Sequence, residues 1–250
     1  MPEASRGRWL KEYWDSTIGK KIVVALTGIF LALYVVLHAL GNLKAFQGPG
    51  NGDPAIDQYA HWLRTLGGPA LPHYGFLWAF RALLLAALIL HIVAITQLTR
   101  RNRAARPAGH KDAQRIQRSF SSRTMLVTGI LVLVFLVFHI LQFTSRTIQI
   151  TPIASGTVYS NLYDTFQKWY FVLFYVGAVA ALGFHLRHAI WSVFQTGGWD
   201  KPNRNPTIRR FATALAVSVT VAFAAVPIAF WSDILPTPPA HEATLAQRAP

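Results

Sequence analysis

Residues 22–43 read IVVALTGIFLALYVVLHALGNL, and residues 125–144 read MLVTGILVLVFLVFHILQFT. Neither run contains an Asp, Glu, Lys or Arg, and each is long enough, at about 1.5 Å per residue, to cross roughly 30 Å of hydrocarbon as a helix. The two runs share more than apolarity. Thr27-Gly28-Ile29, eight residues and then His38 match Thr128-Gly129-Ile130, eight residues and then His139. A second string, Ala-Ala-Leu-x-x-His, occurs at 86–91 and again at 180–185, ending in His91 and His185. The chain therefore reads as a pair of helices used twice, with one histidine in each of four helices.

Outward from these runs, three more apolar stretches of spanning length lie at 74–98, 169–194 and 208–231. The fold class expected is all-α, an integral membrane bundle of five transmembrane helices. A chain of 250 residues with 52% hydrophobic and only 14% charged residues agrees with that class. Residues 1–21 form an N-terminal segment, 22–231 the five-helix membrane domain and 232–250 an irregular tail. The Gly/Pro-rich link between the first two spans carries one short helical stretch at 57–66, and the strongly basic loop 100–123 is expected to be partly helical.

The net charge of +14 follows a topological pattern. With the N-terminus cytoplasmic and the C-terminus outside, Arg6, Arg8, Lys11, Lys20 and Lys21, the cluster from Arg100 to Arg123, and Lys201, Arg204, Arg209 and Arg210 all fall inside. The excess needs no nucleic-acid partner. Absence of cysteine excludes disulfides, thiolate-ligated iron–sulfur clusters and covalently attached c-type haem in this chain. The N-terminal segment lacks the short apolar core of a cleaved signal peptide. Its Trp9, Tyr13 and Trp14 fit either an interfacial anchor or a solvated leader.

An ionisable side chain inside hydrocarbon is costly, so an intramembrane histidine marks a functional site, and imidazole is above all a metal ligand. A lone histidine could instead hydrogen-bond a neighbouring helix. Four, in two repeated contexts, point to ligation. Counted from the span ends, His38 and His139 lie near the outer face and His91 and His185 nearer the cytoplasmic face, two levels on the order of 10 Å apart. One four-histidine centre would need a single level. Two levels suit two haem b groups, one between His38 and His139 and one between His91 and His185, with no free axial position and hence a role in electron transfer. Gly28 and Gly129 either leave room for a macrocycle or serve helix packing. Arg81, Arg187 and His188 are candidates for haem propionates, and His61, Trp62 and Arg64 for a quinone pocket.

Several longer motifs bring in a family. Residues 16–29 (S-T-I-G-K-K-x-x-x-A-L-T-G-I), 38–43 (H-x-x-G-N-L), 61–69 (H-W-L-R-T-L-G-G-P) and 184–192 (F-H-L-R-H-A-I-W-S) resemble the b558-type di-haem cytochrome b subunit of succinate dehydrogenase and fumarate reductase. The likeness extends over nearly all of 10–231. It implies that His38 and His139 ligate a distal haem and that His91 and His185, rather than His188, ligate a proximal one. It also implies a flavoprotein and an iron–sulfur subunit docked on the cytoplasmic face, exchange of electrons with a membrane quinone, commonly menaquinone, and residence in a bacterial inner or plasma membrane. Some relatives use an outer glutamate to protonate quinone. None lies between Glu12 and Glu242 here, which leaves Asp57, His61 and Asp164 as candidates. The competing expectations are a di-haem cytochrome b of another respiratory dehydrogenase and a haem-free transporter or anchor whose histidines relay protons.

Overall fold

A computed structural model describes residues 4–48, 52–105, 120–151, 153–154, 156–199, 201 and 205–238. Among them there is no strand. The helices are α1 (Ala4–Asp15), α2 (Thr17–Asn42), α3 (Ala55–Thr65), α4 (Gly75–Ala104), α5 (Phe120–His139), α6 (Val158–Phe166), α7 (Trp169–Thr196) and α8 (Asn205–Trp231). A 3₁₀ segment, Leu43–Gln47, follows α2, and a π segment, Ile140–Thr144, extends α5. Five helices are long and apolar enough to cross a membrane, so the chain is built as a multi-pass membrane protein.

Most helices overrun the apolar stretches that announce them. Helix α2 begins five residues before Ile22 because Ser16 caps it, its Oγ accepting from the Gly19 amide at 2.8 Å. Helix α4 continues through Thr-Arg-Arg-Asn-Arg to Ala104, since nothing there breaks a helix. The short link helix spans Ala55–Thr65, close to the expected 57–66. The central part of the basic loop, 106–119, and the tail beyond 238 lie outside the described residues.

Two antiparallel hairpins, α2 with α4 and α5 with α7, reproduce the internal repeat as packing units. They are joined because α2 also packs on α7, and because α8 lies along α7 and touches α2. Gly183 permits the α7–α8 approach: a Cβ there would collide with Thr220 Oγ1. Neither α2 and α5 nor α4 and α7 packs along its length. Each pair of helices that shares a histidine level is thus held apart. The outward faces are apolar, as along Leu26, Leu33, Leu37 and Leu40 of α2, all exposed.

The two ends of the bundle differ. At the basic end, α1 folds back on α2, Lys20 is buried with its Nζ donating to the Trp14 carbonyl, and Arg101 of α4 donates to the Asp15 carbonyl. The opposite end is capped. There α3, α6, the 3₁₀ segment and residues 232–238 enclose a core of Ala45, Ile56, Tyr159, Leu162, Phe166, Phe230 and Leu235.

The cap contains helix α6, which was not foreseen, and the first part of the tail, irregular as expected, packs into it. Leu235 is buried, and the Pro236 carbonyl accepts from Tyr159 Oη at 2.9 Å. Burial pushes the Tyr159 hydroxyl up to about 12, so it remains a donor.

Candidate functional site

On α2, Thr27, Tyr34 and His38 fall on one helical face, and on α5 Thr128, Phe135 and His139 repeat that spacing. Each face serves two levels of the bundle. Nearer the capped end, the His38 and His139 rings lie with centroids 6.0 Å apart and planes at 71°. An ion held between two imidazoles, with metal–nitrogen bonds of about 2 Å and roughly 1.1 Å more to each ring centre, requires a centroid separation of about 6 Å. The separation of the two rings equals that length. Aromatic rings wall it: Tyr34 stacks on His38 at 5.5 Å, Phe223 of α8 approaches it at 5.5 Å, and Phe135, Phe143 and Tyr175 surround His139 at 5.7, 5.5 and 6.1 Å.

His139 closes α5 where the ladder loosens into the π segment, a feature that helices keep mainly at functional positions. That segment brings Gln142 wholly inside, where its Oε1 accepts from Tyr175 Oη at 2.7 Å. Among the described residues, His139 Nδ1 and Gln142 Nε2 are buried without a hydrogen-bond partner. Buried polar atoms of this kind are uncommon and are met by ordered water, an ion or another bound group.

At the second level, His91 and His185 sit beside Thr27 and Thr128, eleven positions from His38 and His139 along α2 and α5. Each imidazole is seated on the Thr-Gly step of the preceding helix. His91 Nδ1 is 3.1 Å from Thr27 Oγ1, and a Cβ at Gly28 would lie 3.4 Å from His91 Cε1. His185 Nδ1 is 3.5 Å from Thr128 Oγ1, and a Cβ at Gly129 would lie 3.2 Å from His185 Cε1. The two glycines therefore serve the imidazoles of the neighbouring helix, a cradle that a methyl group would crowd.

Because His91 sits level with Thr27, the two histidine levels are separated by the rise from position 27 to position 38, about 16 Å. Among the described residues, no three potential metal ligands of the His, Cys, Asp or Glu type converge.

The remaining candidates disperse. Arg81 stands over the Trp78 ring at 5.2 Å and interacts with Tyr34, which places it beside the His38–His139 level. Arg187 is turned to α8, where its Nε donates to Thr213 Oγ1 at 2.8 Å. His188 is half-buried beside Arg187 and His185. His61 and Trp62 are exposed on α3, with Trp62 stacked on Tyr59 at 5.9 Å, and Arg64 lies near Asp57.

Asp57 itself has a structural task. Its Oδ1 accepts from the amides of Val158 and Tyr159, the latter at 3.1 Å, and so caps α6 from a distant part of the chain. Burial raises its carboxyl above the ordinary range, and the two amides oppose that rise. Sequence reading missed this cap and the Thr-Gly seats, although the repeated Thr-Gly-Ile string was the signal for the second. No family model, no curated protein and no solved structure matches the chain.

Proposed function

We propose that the chain is the di-haem cytochrome b subunit that anchors a succinate dehydrogenase or fumarate reductase in a bacterial inner membrane. The observation that carries the reading is the pair of imidazole levels, each assembled from helices that are held apart and each embedded in a repeated motif. In this reading the basic end faces the cytoplasm and the capped end the outside. Bound haem b supplies a reversible one-electron iron couple.

The chain's own residues hold and insulate that couple. His38 with His139 would hold one haem and His91 with His185 the other, and groups held in this way would serve electron transfer. Tyr34, Phe135, Phe143, Tyr175 and Phe223 keep water from the first level. Arg81 offers a cation for a propionate there. Arg100, Arg101, Arg103, Arg209 and Arg210 present positive charge at the basic end to the iron–sulfur subunit, which with its flavoprotein carries the succinate chemistry. His61, Trp62 and Arg64 on α3 are the contact candidates for a membrane quinone, menaquinone being favoured.

The test is optical. Protein purified from membranes should show a reduced b-type α-band and two haems per chain by pyridine haemochrome titration. His38→Ala and His139→Ala should delete one haem, and His91→Ala and His185→Ala the other. A single haem in the unmodified protein refutes the two-level assignment, and a colourless preparation refutes the cytochrome reading altogether.

A further inference from the structure

We propose that Thr27 and Thr128 are positioning residues that set the tautomer of His91 and His185, presenting Nε2 of each as the ligand at the inner level, a device that the outer pair lacks. The consequence for iron rests on the di-haem reading, but the tautomer assignment stands on hydrogen-bond geometry alone.

Each threonine has its hydroxyl proton committed. Thr27 Oγ1 is 2.6 Å from the Val23 carbonyl, and Thr128 Oγ1 is 3.0 Å from the Thr124 carbonyl, both within their own helix. A carbonyl can only accept, so the hydroxyl proton points along that bond and the oxygen offers a lone pair to the imidazole. The facing ring nitrogen must then be the donor. The proton therefore resides on Nδ1, and a chain of bonds runs from imidazole N–H through the hydroxyl to a helix carbonyl.

Gly28 and Gly129 complete the lock. They let the ring edge formed by Nδ1 and Cε1 lie against the neighbouring helix, so the edge bearing Nε2 turns away from it. A metal-ligating imidazole that donates its second N–H is fixed in orientation and made more basic, which favours the oxidised metal. At the outer level, among the described residues, His139 Nδ1 is buried without a hydrogen-bond partner, and His38 stacks on Tyr34. The two levels are thus tuned by different means. The bond at Thr27, 3.1 Å, is the shorter of the two, so Thr27 carries more of the effect than Thr128 at 3.5 Å.

The experiment uses the intact membrane protein and its Thr27→Val, Thr27→Ser, Thr128→Val and Thr128→Ser variants. Three properties are followed: haem content, redox titration of each haem, and the low-spin EPR signal of the oxidised protein. Thr27→Val should raise the midpoint potential and shift the EPR signal of the haem that His91→Ala deletes, and should weaken its retention by about 10–100-fold. Thr128→Val should move the same haem less, both serine variants should restore it, and the other haem should not move. Unchanged potential and EPR in Thr27→Val with both haems bound overturns the proposal, as does a Thr27→Ser variant that behaves like the valine. A preparation without haem refutes the cytochrome reading instead. In that case solid-state ¹⁵N NMR of histidine-labelled protein decides the tautomer directly: a protonated Nδ1 on His91 that is lost in Thr27→Val supports the lock, and a protonated Nε2 in the unmodified protein overturns it.

Discussion

Replacing Asp57 separates a structural carboxylate from a proton-handling one. Helix α6 starts without a side-chain cap from its own Thr157, and Asp57 Oδ1 takes the amides of Val158 and Tyr159 in its place. Removing an N-cap acceptor costs about 0.5–2 kcal/mol, and hydrogen bonds to a charged group contribute roughly 1.5–3 kcal/mol each before desolvation is set against them. Here desolvation is large enough to lift the carboxyl's pKa. Asp57→Ala should therefore lose about 1–2 kcal/mol net, a fall of a few degrees in the melting of the helical signal by far-UV circular dichroism in detergent.

Asp57→Asn keeps the Oδ1 acceptor and removes the charge, so its change should stay within about 0.5 kcal/mol. The pH dependence has a definite sign. A folded-state pKa above the unfolded value of about 3.9 means that the folded protein holds the proton more tightly. Asp57's contribution is fully present below that unfolded value, falls as pH rises through the raised folded value and is flat beyond it. Relative to the parent, Asp57→Asn should thus gain stability as pH rises through that window. If Asp57→Asn melts as low as Asp57→Ala, the cap is not made by the acceptor oxygen. If Asp57→Asn keeps its stability but loses quinone-linked turnover in the assembled complex, Asp57 handles protons and the structural account fails.

The two glycine seats and one buried pair make further predictions. Gly129→Ala sets a methyl 3.2 Å from His185 Cε1, a distance at which the seated ring must shift by a few tenths of an ångström, and should cost about 1–3 kcal/mol and loosen the inner haem. Gly28→Ala, at 3.4 Å from His91 Cε1, should be mild, and haem retention after detergent extraction would expose a reversed order. Tyr175→Phe strands the Gln142 amide inside the protein and should destabilise by about 1–3 kcal/mol, whereas adding Gln142→Leu should recover much of that loss. A thermal-melting double-mutant cycle with additive effects would refute the pairing.

The five long helices and the doubled histidine motif were legible in the chain alone, because they rest on local information. Apolar runs of spanning length need no tertiary partner to be recognised, and a string such as Thr-Gly-Ile repeated in two runs is visible without coordinates. That same string concealed its meaning. Thr27 and Gly28 look like a packing motif for α2, yet the atoms they meet belong to His91, 64 positions later in the chain. Only the packing of α2 on α4 and of α5 on α7 brings hydroxyl and imidazole together.

The capped end lay still further from sequence reading. Residues 149–168 and 232–238 are polar, irregular and short of periodic signal. Their described residues are held by partners elsewhere: Asp57 at the start of α6, Pro236 on Tyr159, and the Phe230 carbonyl on Gln167 Nε2 at 2.8 Å. The spanning helices could be read directly because their backbone hydrogen bonds close within a few residues and their apolar faces need only lipid. The cap and the histidine seats depend on donors and acceptors supplied across tens of residues, and for those the tertiary structure alone chose the partner.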